Sequence, residues 1–317
     1  MAKQIDKTET KRATWIARTA SALNLSEPQT RELLEIPRQQ SIRINTLRDD
    51  DHDTLTKLEE QGVIGGAFEW APNGYELCVP VQEIRDNPLV LEGKVFIQNA
   101  ASWLPVLALA PKAGERILDV CAAPGGKTSH IAALTNNQAE LWANDNSRAR
   151  LAKMRANFDR LGVHSVNTTL YDGTQLSRKL QGQQFDRILL DAPCSGEGMM
   201  QLGVAKDFAT WSVAHIKRLQ HLQKQLIMQA WQLLKPGGTL VYSTCTMAPE
   251  ENEAVISYLL KRADDATVQP LSFILPNITK PVMHWNGRDF DTRVGGCLRL
   301  KPSKNIEAFF VCKLQKI

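Results

Sequence analysis

The sequence has no long apolar run and no apolar leader. No stretch approaches the roughly 20 apolar residues that span a bilayer, and residues 1–12 are polar and charged. These absences predict a cytoplasmic protein that does not contact a membrane. The chain also has no internal repeat or low-complexity tract, and its 317 residues suffice for one large domain and a smaller one.

Cysteine is scarce and never closely paired. The six cysteines form no Cys-x-x-Cys pair, and they are Cys78, Cys121, Cys194, Cys245, Cys297 and Cys312. We therefore expect no zinc site and no other metal. The same spacing fits a reducing compartment and a chain without structural disulfides.

Charge is nearly balanced overall but not along the chain. The net charge is +4; residues 1–110 hold 12 Lys and Arg against 16 Asp and Glu, whereas residues 111–317 hold 26 against 18. A basic second part suits a polyanionic substrate such as a nucleic acid. An ordinary solvated surface would explain the same imbalance equally well.

The hydrophobic pattern changes near residue 110. Residues 1–110 predict a small α/β module with a linker helix, and residues 111–317 predict repeated strand–loop–helix units. In the first part we predict a helix over 12–36, a strand over 41–47, a helix over 53–61 and short strands near Phe68 and 75–79. In the second we predict strands over 116–120, 140–144, 165–170, 185–190 and 239–244, a helix over 211–234 that 235–238 ends, and a last strand over 308–314. This alternation predicts an α/β fold with a mainly parallel sheet and helices on both faces.

A glycine-rich turn follows the first strand of the second part, and acidic residues follow the next two. Gly125 and Gly126 allow a ligand to approach the backbone, and the helix that starts there favours a carboxylate. Asp145 is placed to bind ribose hydroxyls and Asp172 to accept from an adenine amino group. Together these sites fit S-adenosylmethionine.

The same turn partly matches a phosphate-binding loop. That motif requires glycine at position 121, where this chain has Cys121, so a nucleoside triphosphatase is a minor alternative.

Two further cysteines follow strands on the presumed cofactor side. Cys194 lies in Ala-Pro-Cys-Ser-Gly and Cys245 in Ser-Thr-Cys-Thr. A thiolate added to carbon 6 of a pyrimidine makes carbon 5 nucleophilic enough to accept a methyl group. Such a site must supply positive charge near the thiol, for which Lys127 is the candidate. Asp191 could assist at ring nitrogen 3 if it carries a proton.

With these residues assembled, the chain resembles the Sun/Fmu-type family of RNA cytosine-5 methyltransferases, and within it the bacterial ribosomal RNA methyltransferases of type F. The resemblance runs from about residue 41 to the C-terminus. It rests on residues 41–47, 96–102, 121–128, 190–198, 234–246 and 250–252. It implies a Rossmann-like class I S-adenosylmethionine-dependent methyltransferase, with residues 1–110 as an RNA-positioning module and 111–317 as the catalytic domain.

The resemblance also implies a role for each site residue. Cys245 matches the nucleophile, Cys194 the thiol that helps release the product, and Lys127 a catalytic-site lysine. Asp191 matches the aspartate that contacts cytosine and cofactor. The cofactor pocket matches Cys121, Ala122, Ala123, Pro124, Gly125, Gly126, Lys127, Asp145, Asp172 and Asp191.

Three features depart from the family pattern. Residues 199–203 replace the usual basic residue and Asp-Pro after Gly198, Glu307 and Ala308 replace the usual Asp-Gly before two phenylalanines, and the sequence ends at Ile317. We therefore expect altered RNA contacts after Gly198 and no additional C-terminal RNA-binding domain.

We expect the substrate to be RNA, ribosomal RNA first and transfer RNA second, with no obligate protein partner. Less favoured alternatives are a DNA cytosine methyltransferase, a non-catalytic RNA-binding assembly factor and a small-molecule methyltransferase.

Overall fold

The computed structural model of the protein describes residues 2–49 and 53–317. Its α-helices are α1 (Ala2–Leu23), α2 (Glu27–Glu35), α3 (Thr54–Glu60), α4 (Val81–Ile84), α5 (Pro88–Leu91), α6 (Leu104–Leu109), α7 (Gly126–Leu134), α8 (Arg148–Leu161), α9 (Leu176–Lys179), α10 (Val213–Leu233) and α11 (Glu253–Leu260). Its strands are β1 (Ser41–Ile44), β2 (Ile64–Ala67), β3 (Gly74–Leu77), β4 (Val95–Ile97), β5 (Arg116–Asp119), β6 (Glu140–Asn144), β7 (Val166–Thr169), β8 (Phe185–Asp191), β9 (Leu234–Thr244), β10 (Ala266–Gln269), β11 (Ile278–Thr279), β12 (His284–Trp285), β13 (Arg288–Asp289), β14 (Leu298–Leu300) and β15 (Phe309–Lys316).

A nine-stranded sheet forms the centre of the second part. Its order is β11-β14-β15-β9-β8-β5-β6-β7, with β10 paired to β15. Strands β5 to β9 pair in parallel, whereas β10, β11, β14 and β15 pair antiparallel. The predicted α/β fold is therefore confirmed, but the sheet is parallel only in one half. Most of the antiparallel half is not predicted, because its short strands show no clear alternation in sequence.

Helices cover both faces of this sheet. Alternate residues of each central strand point to opposite faces, so that Ile117 belongs to one hydrophobic cluster and Leu118 to the other. Helices α6, α7 and α8 contribute to the first cluster, and α10 and α11 to the second. The layers hold the carboxyl ends of the parallel strands together at one edge.

A smaller antiparallel sheet, in the order β2-β3-β1-β4, forms in the first part. Its core includes Ile42 and Ile44 of β1 and Leu77 of β3. Helices α1 and α2 pack elsewhere, because Trp15 and Leu34 share a cluster with residues beyond 200, including Trp211. The first part is thus in contact with the second through its helices, and the domain boundary near residue 110 stays a prediction.

Two expected boundaries are corrected. The single helix predicted over 12–36 is two helices, since Asn24 has a positive φ of 53° and Ser26 caps α2 with Gln29 in a capping box. The helix that ends at Leu233 is followed at once by β9, so residues 235–238 belong to a strand that starts earlier than residue 239. The sequence analysis also did not predict β10, β11 or β14 as strands.

Candidate active site

Three loops meet at the carboxyl edge of the parallel strands. The register of β8 and β9 places Asp191 opposite Ser243, and the Ala192 N–H donates to the Ser243 carbonyl at 2.9 Å. The loops after these strands therefore run side by side next to the turn that follows β5. This arrangement brings together two residues 51 positions apart in sequence, Cys194 and Cys245.

The two thiols are in direct contact. Their Sγ atoms lie 3.4 Å apart, well beyond the roughly 2.05 Å of a disulfide. The hydrogen bond with Cys245, together with burial, raises the pKa of Cys194 well above its ordinary value. Cys194 therefore keeps its proton near neutral pH and can donate it to a neighbouring group.

A lysine and a carboxylate lie beside the thiols. Lys127 Nζ is 2.7 Å from Asp191 Oδ2, and the Ser243 hydroxyl donates to Asp191 Oδ1 at 2.7 Å. Burial opposes the charge of Lys127, but the attraction of Asp191 outweighs it and the pKa of Lys127 is raised, with Cys245 adding to the effect. Lys127 is thus a permanent cation that can stabilise a thiolate at Cys245. Both oxygens of Asp191 accept from these donors, so the role of Asp191 at ring nitrogen 3 stays a prediction.

The glycine turn is tightly built against the neighbouring helix. Gly125 has a φ of +98°, and a Cβ there would lie 2.8 Å from Phe158 Cε1. Both the left-handed backbone and the close packing require glycine. Helix α7 starts at the next residue, Gly126, and its first N–H groups have no intrahelical partner. They are available to an anionic group of a ligand.

Two cavities share a wall at this edge of the sheet. We name them by one lining residue each: the Lys127 cavity has a volume of about 420 Å³ and the Asp145 cavity about 330 Å³. The residues that line both are Cys121, Ala123, Asp191, Ala192 and Cys245. A group held in one cavity can therefore react across this wall with a group held in the other.

The predicted cofactor residues divide between the two cavities. The Asp145 cavity includes Asp145 and Asp172, whereas Ala122, Pro124, Gly126 and Lys127 line the Lys127 cavity, and Gly125 lines neither. Cys194, predicted as a catalytic residue, also lines the Asp145 cavity.

The two carboxylates of the Asp145 cavity already have some hydrogen-bond and ion-pair partners within the protein. The buried Asp145 accepts from the Ser147 N–H at 2.9 Å and lies 3.2 Å from Arg150 Nη1. The exposed Asp172 uses Oδ1 to accept from both the N–H and the hydroxyl of Thr174, at 2.9 and 2.8 Å. A ligand hydroxyl at Asp145 must therefore share the carboxylate with Arg150.

The sequence motifs assign no role to a buried glutamate that lies behind the thiols. Glu251 is fully buried and accepts from the Ser195 N–H at 2.9 Å and from Gln223 Nε2 at 2.9 Å. Its other oxygen contacts the hydroxyls of Ser195 and Thr246. Because Ser195 follows Cys194 and Thr246 follows Cys245, this carboxyl joins the two thiol-bearing loops. Burial raises the pKa of Glu251 to about 7.

Two more buried carboxyls line the Lys127 cavity. Asp119 accepts from the Thr128 hydroxyl at 2.7 Å, but its Oδ1 has no hydrogen bond among the residues described. Burial raises the pKa of Asp119 to about 7 and also raises that of Glu307. Asp119 lies just before the glycine turn and Glu251 lies within residues 250–252, so both are part of the sequence motifs. The motifs do not predict that their carboxyl groups are buried.

Part of the Lys127 cavity comes from outside the second part of the chain. Phe96 and Gln98, at and just after β4, form one wall, and Phe309 of β15 forms another. A Cβ at Gly126 would lie 2.9 Å from Phe96 Cε1, which shows how closely β4 approaches the glycine turn. No spacing in the sequence links these segments.

Within residues 2–49 and 53–317, no helix has the length and apolar content needed to cross a bilayer. The same residues contain no group of three or more His, Cys, Asp and Glu side chains placed to hold a metal ion. The expectation of a metal-free site stays a prediction.

The doubly wound sheet, the glycine turn and the strand-end acids are typical of a Rossmann-like class I methyltransferase. Its methyl donor is S-adenosylmethionine, and the Asp145 cavity fits it by chemistry: carboxylates after the second and third parallel strands can accept from ribose hydroxyls and an adenine amino group. The wall shared with Cys245 and Asp191 would then place the methyl group next to the Lys127 cavity.

Comparison with known proteins identifies the family. The family described as 16S rRNA methyltransferase RsmB/F matches residues 106–315. The tRNA (cytosine(49)-C(5))-methyltransferase of Pyrococcus abyssi is 38% identical over 287 residues, which cover 88% of this chain and 89% of the relative. Ribosomal RNA small subunit methyltransferase F of Serratia proteamaculans is 37% identical over 289 residues, which cover 88% of this chain but 57% of the relative.

A solved structure supports the same assignment. A methyltransferase homologue from Pyrococcus horikoshii superposes with a TM-score of 0.78 at 33% identity, covering 95% of this chain and 99% of that one. The chain belongs to the RsmB/F family, and it is an enzyme, a class I methyltransferase that uses S-adenosylmethionine. The resemblance to the Sun/Fmu-type family is thereby confirmed.

Proposed function

We propose that the chain methylates carbon 5 of a cytosine in RNA, with ribosomal RNA as the substrate, through a covalent bond between Cys245 and carbon 6 of the base. The family description and the relatives' names support the reaction class. The observation that carries the covalent route is the contact of two thiols, 3.4 Å apart, beside a lysine–aspartate pair at the wall between two cavities.

The residues divide the work of the reaction. Cys245 as thiolate, stabilised by the Lys127 cation, forms a bond from sulfur to carbon 6 and raises the electron density at carbon 5. S-adenosylmethionine supplies the methyl group that carbon 5 accepts. Loss of the carbon 5 proton to a base then allows the bond between sulfur and carbon 6 to break. Cys194, which keeps its proton, can protonate the departing Cys245 sulfur.

The Lys127 cavity is the proposed place of the target base. It holds Cys245, Lys127 and Asp191 on one wall and the aromatic side chains of Phe96 and Phe309 on others. A cytosine stacked inside an RNA double helix could not reach the Cys245 thiol, so the base must flip out of its stack. Residues 1–110 supply Phe96 and Gln98 to this cavity, which supports their proposed role as an RNA-positioning module.

Transfer RNA is the second candidate substrate. The match to the tRNA methyltransferase of Pyrococcus abyssi extends over 89% of that protein, whereas the match to the ribosomal enzyme extends over 57%. The chain thus spans a tRNA relative almost completely and only about half of the ribosomal one. The cytoplasmic location and the absence of an obligate protein partner remain predictions.

Bisulfite sequencing of total RNA tests the proposal. RNA from cells with the gene, without it, and with a Cys245→Ala copy is compared. We expect one cytosine of ribosomal RNA to lose its methyl group in both the deletion and the Cys245→Ala strain. Loss at a tRNA position instead would select the second candidate, and no change in any RNA would contradict the function.

A further inference from the structure

A smaller cavity opens beside the Lys127 cavity. Its volume is about 120 Å³, and we call it the side pocket. The two share Gln40, Asn99, Met199 and Glu307 as lining residues. A base next to one held in the Lys127 cavity can therefore reach the side pocket.

Unpaired carboxamides line the side pocket. Gln40, Asn99 and Gln201 are half-buried, and their side chains make no hydrogen bond to any residue that the structure describes. None of their polar atoms is among the buried unpaired atoms of the described residues, so these atoms remain accessible to a ligand. Each of these side chains offers one acceptor oxygen and two donor hydrogens to a group that enters the pocket.

The charged side chains that line the side pocket are either already hydrogen-bonded, buried or exposed at the rim. The Arg38 guanidinium is already used, because it donates to the carbonyls of Gly198 and Met200. Lys304 is exposed at the rim and has no ion pair within the described ranges. Glu307 also lines the pocket, as a buried carboxyl. The carboxamides therefore supply the unpaired donors and acceptors of the pocket, and Lys304 at its rim is a free cation that can bind a phosphate.

An apolar side chain separates the two cavities. Met199 lines both and is 55% exposed. A polarisable thioether at this position can lie against the face of an aromatic ring. Met199 and Gln201 belong to the segment 199–203, where we expect altered RNA contacts.

The same segment is tied to the nucleophile loop. The Gly198 N–H donates to the Cys245 carbonyl at 2.9 Å. A Cβ at Gly198 would lie 2.1 Å from the Ala308 carbonyl oxygen, so this contact excludes any larger residue. A group bound against Met199 and Gln201 is therefore held at a set position relative to Cys245.

We propose that the side pocket binds the base adjacent to the target cytosine and reads it through the carboxamides of Gln40, Asn99 and Gln201. Neutral carboxamides match the hydrogen-bonding edge of a base, and they pair best with adenine. Unstacked bases of single-stranded RNA loops are read on such edges. The inference rests on the proposed function, since it takes the Lys127 cavity as the place of the target base.

RNA binding can test the pocket separately from methyl transfer. The probes are RNA stem-loops that present one cytosine in the loop, with each of the four bases in turn on either side. Affinity is measured by fluorescence anisotropy for the wild type, Gln201→Ala and Gln40→Ala. Gln181→Ala is the matched control, because Gln181 is an exposed carboxamide at the opposite edge of the sheet, near Arg116 and Lys235.

We expect the wild type to prefer one base, adenine, at one flanking position. Gln201→Ala and Gln40→Ala should each reduce that preference by about 10-fold, while Gln181→Ala keeps it. A wild type that binds all flanking bases equally or binds none of the probes would overturn the proposal. So would a preference that survives in both pocket variants.

Methyl transfer to the same stem-loops is measured in parallel. Base-dependent binding without transfer to any probe would support the side pocket and contradict the proposed function. Methyl transfer without any preference for a flanking base would support the proposed function and contradict the side pocket as a base-binding site.

Discussion

The Asp145 cavity and the Lys127 cavity are assembled in different ways. The lining residues of the Asp145 cavity fall between Val120 and Leu226, with Cys245 added, and most of them lie on loops that follow the parallel strands. The Lys127 cavity uses the same loops but also takes walls from residues 40, 96–99 and 102 and from 307 and 309. The proposed cofactor side is thus a property of the fold, whereas the proposed substrate side depends on segments from both ends of the chain.

This difference suggests where variation in substrate can arise. A parallel sheet brings its strand ends to one edge whatever surrounds it, so the Asp145 cavity needs little else. The walls of the Lys127 cavity can vary through substitutions at residues 40, 96–99 and 102 or at residues 307 and 309. Variants on the two sides should therefore have separable effects on cofactor binding and on RNA.

The largest expected effect is on the wall that both cavities share. Cys245→Ala removes the thiol proposed to bond to carbon 6, and we expect methyl transfer to fall by at least about 10³-fold. The thermal unfolding midpoint should change little, because Cys245 is only half-buried. Transfer is measured with tritiated S-adenosylmethionine, and Cys78→Ala, at an exposed cysteine outside both cavities, is the control. Transfer near the wild-type rate would reject Cys245 as the nucleophile.

The next effect should be confined to the Asp145 cavity. Asp145→Ala removes a buried carboxylate proposed to accept from the ribose, so we expect cofactor affinity to fall by about 10- to 100-fold. Titration calorimetry with S-adenosylmethionine measures it. Asp159→Ala, an exposed aspartate near the end of α8, should leave the affinity unchanged. Equal affinities for Asp145→Ala and the wild type would remove the ribose contact from the account.

A smaller effect should be confined to the Lys127 cavity. Phe96→Ala shortens a wall supplied by β4, and we expect the KM for RNA to rise by about 5- to 10-fold. The affinity for S-adenosylmethionine should stay within about 2-fold of the wild type, because Phe96 does not line the Asp145 cavity. Steady-state kinetics and calorimetry on the same preparation give both values. A loss of cofactor affinity as large as the rise in KM would break the separation of the two cavities.

The last prediction concerns stability and not ligand binding. It involves Glu251, whose carboxyl group joins the two thiol-bearing loops. Burial raises the pKa of Glu251 from 4.5 to about 7, so the folded chain keeps a proton that the unfolded chain releases in this range. The stability that this neutral carboxyl gives is complete below about pH 4.5 and is lost as the pH rises through about 7. Glu251→Gln cannot ionise and should gain about 2 kcal/mol relative to the wild type between pH 5 and pH 8.

Urea unfolding at the two pH values measures this difference. The glutamine amide can still donate to the hydroxyls of Ser195 and Thr246, so the variant should fold. A difference in unfolding free energy that does not depend on pH would show that Glu251 is already ionised in the folded chain.

The sequence predicted the Asp145 cavity better than the Lys127 cavity, for a physical reason. Asp145, Asp172 and Cys194 each follow a strand, and period and flanking turns reveal strands. The contact between Cys194 and Cys245 follows from the parallel register of β8 and β9. The contacts of the Glu251 carboxyl with both thiol-bearing loops and the unpaired Oδ1 of Asp119 depend on burial. Strand and turn patterns do not predict burial of these two side chains.

The rest of the substrate side required packing between distant segments. Phe96, Gln40 and Glu307 come together only when the small sheet docks against the large one and β15 pairs antiparallel with β9. No periodicity in the sequence encodes that docking. The break at Asn24–Ser26 is not evident from periodicity either, because Leu23 of α1 and Leu34 of α2 are 11 positions apart, which also fits one continuous helix.

A search for a covalent complex of the Cys194→Ala variant with RNA tests the bond between Cys245 and carbon 6. Without the Cys194 thiol, the bond between Cys245 and carbon 6 should persist after methyl transfer. We expect a denaturant-resistant complex in which peptide mass spectrometry places a methylated cytosine on Cys245, and no complex in the double variant Cys194→Ala, Cys245→Ala. Full methyl transfer by the wild type with no trapped complex in Cys194→Ala, or an adduct on another residue, would contradict it.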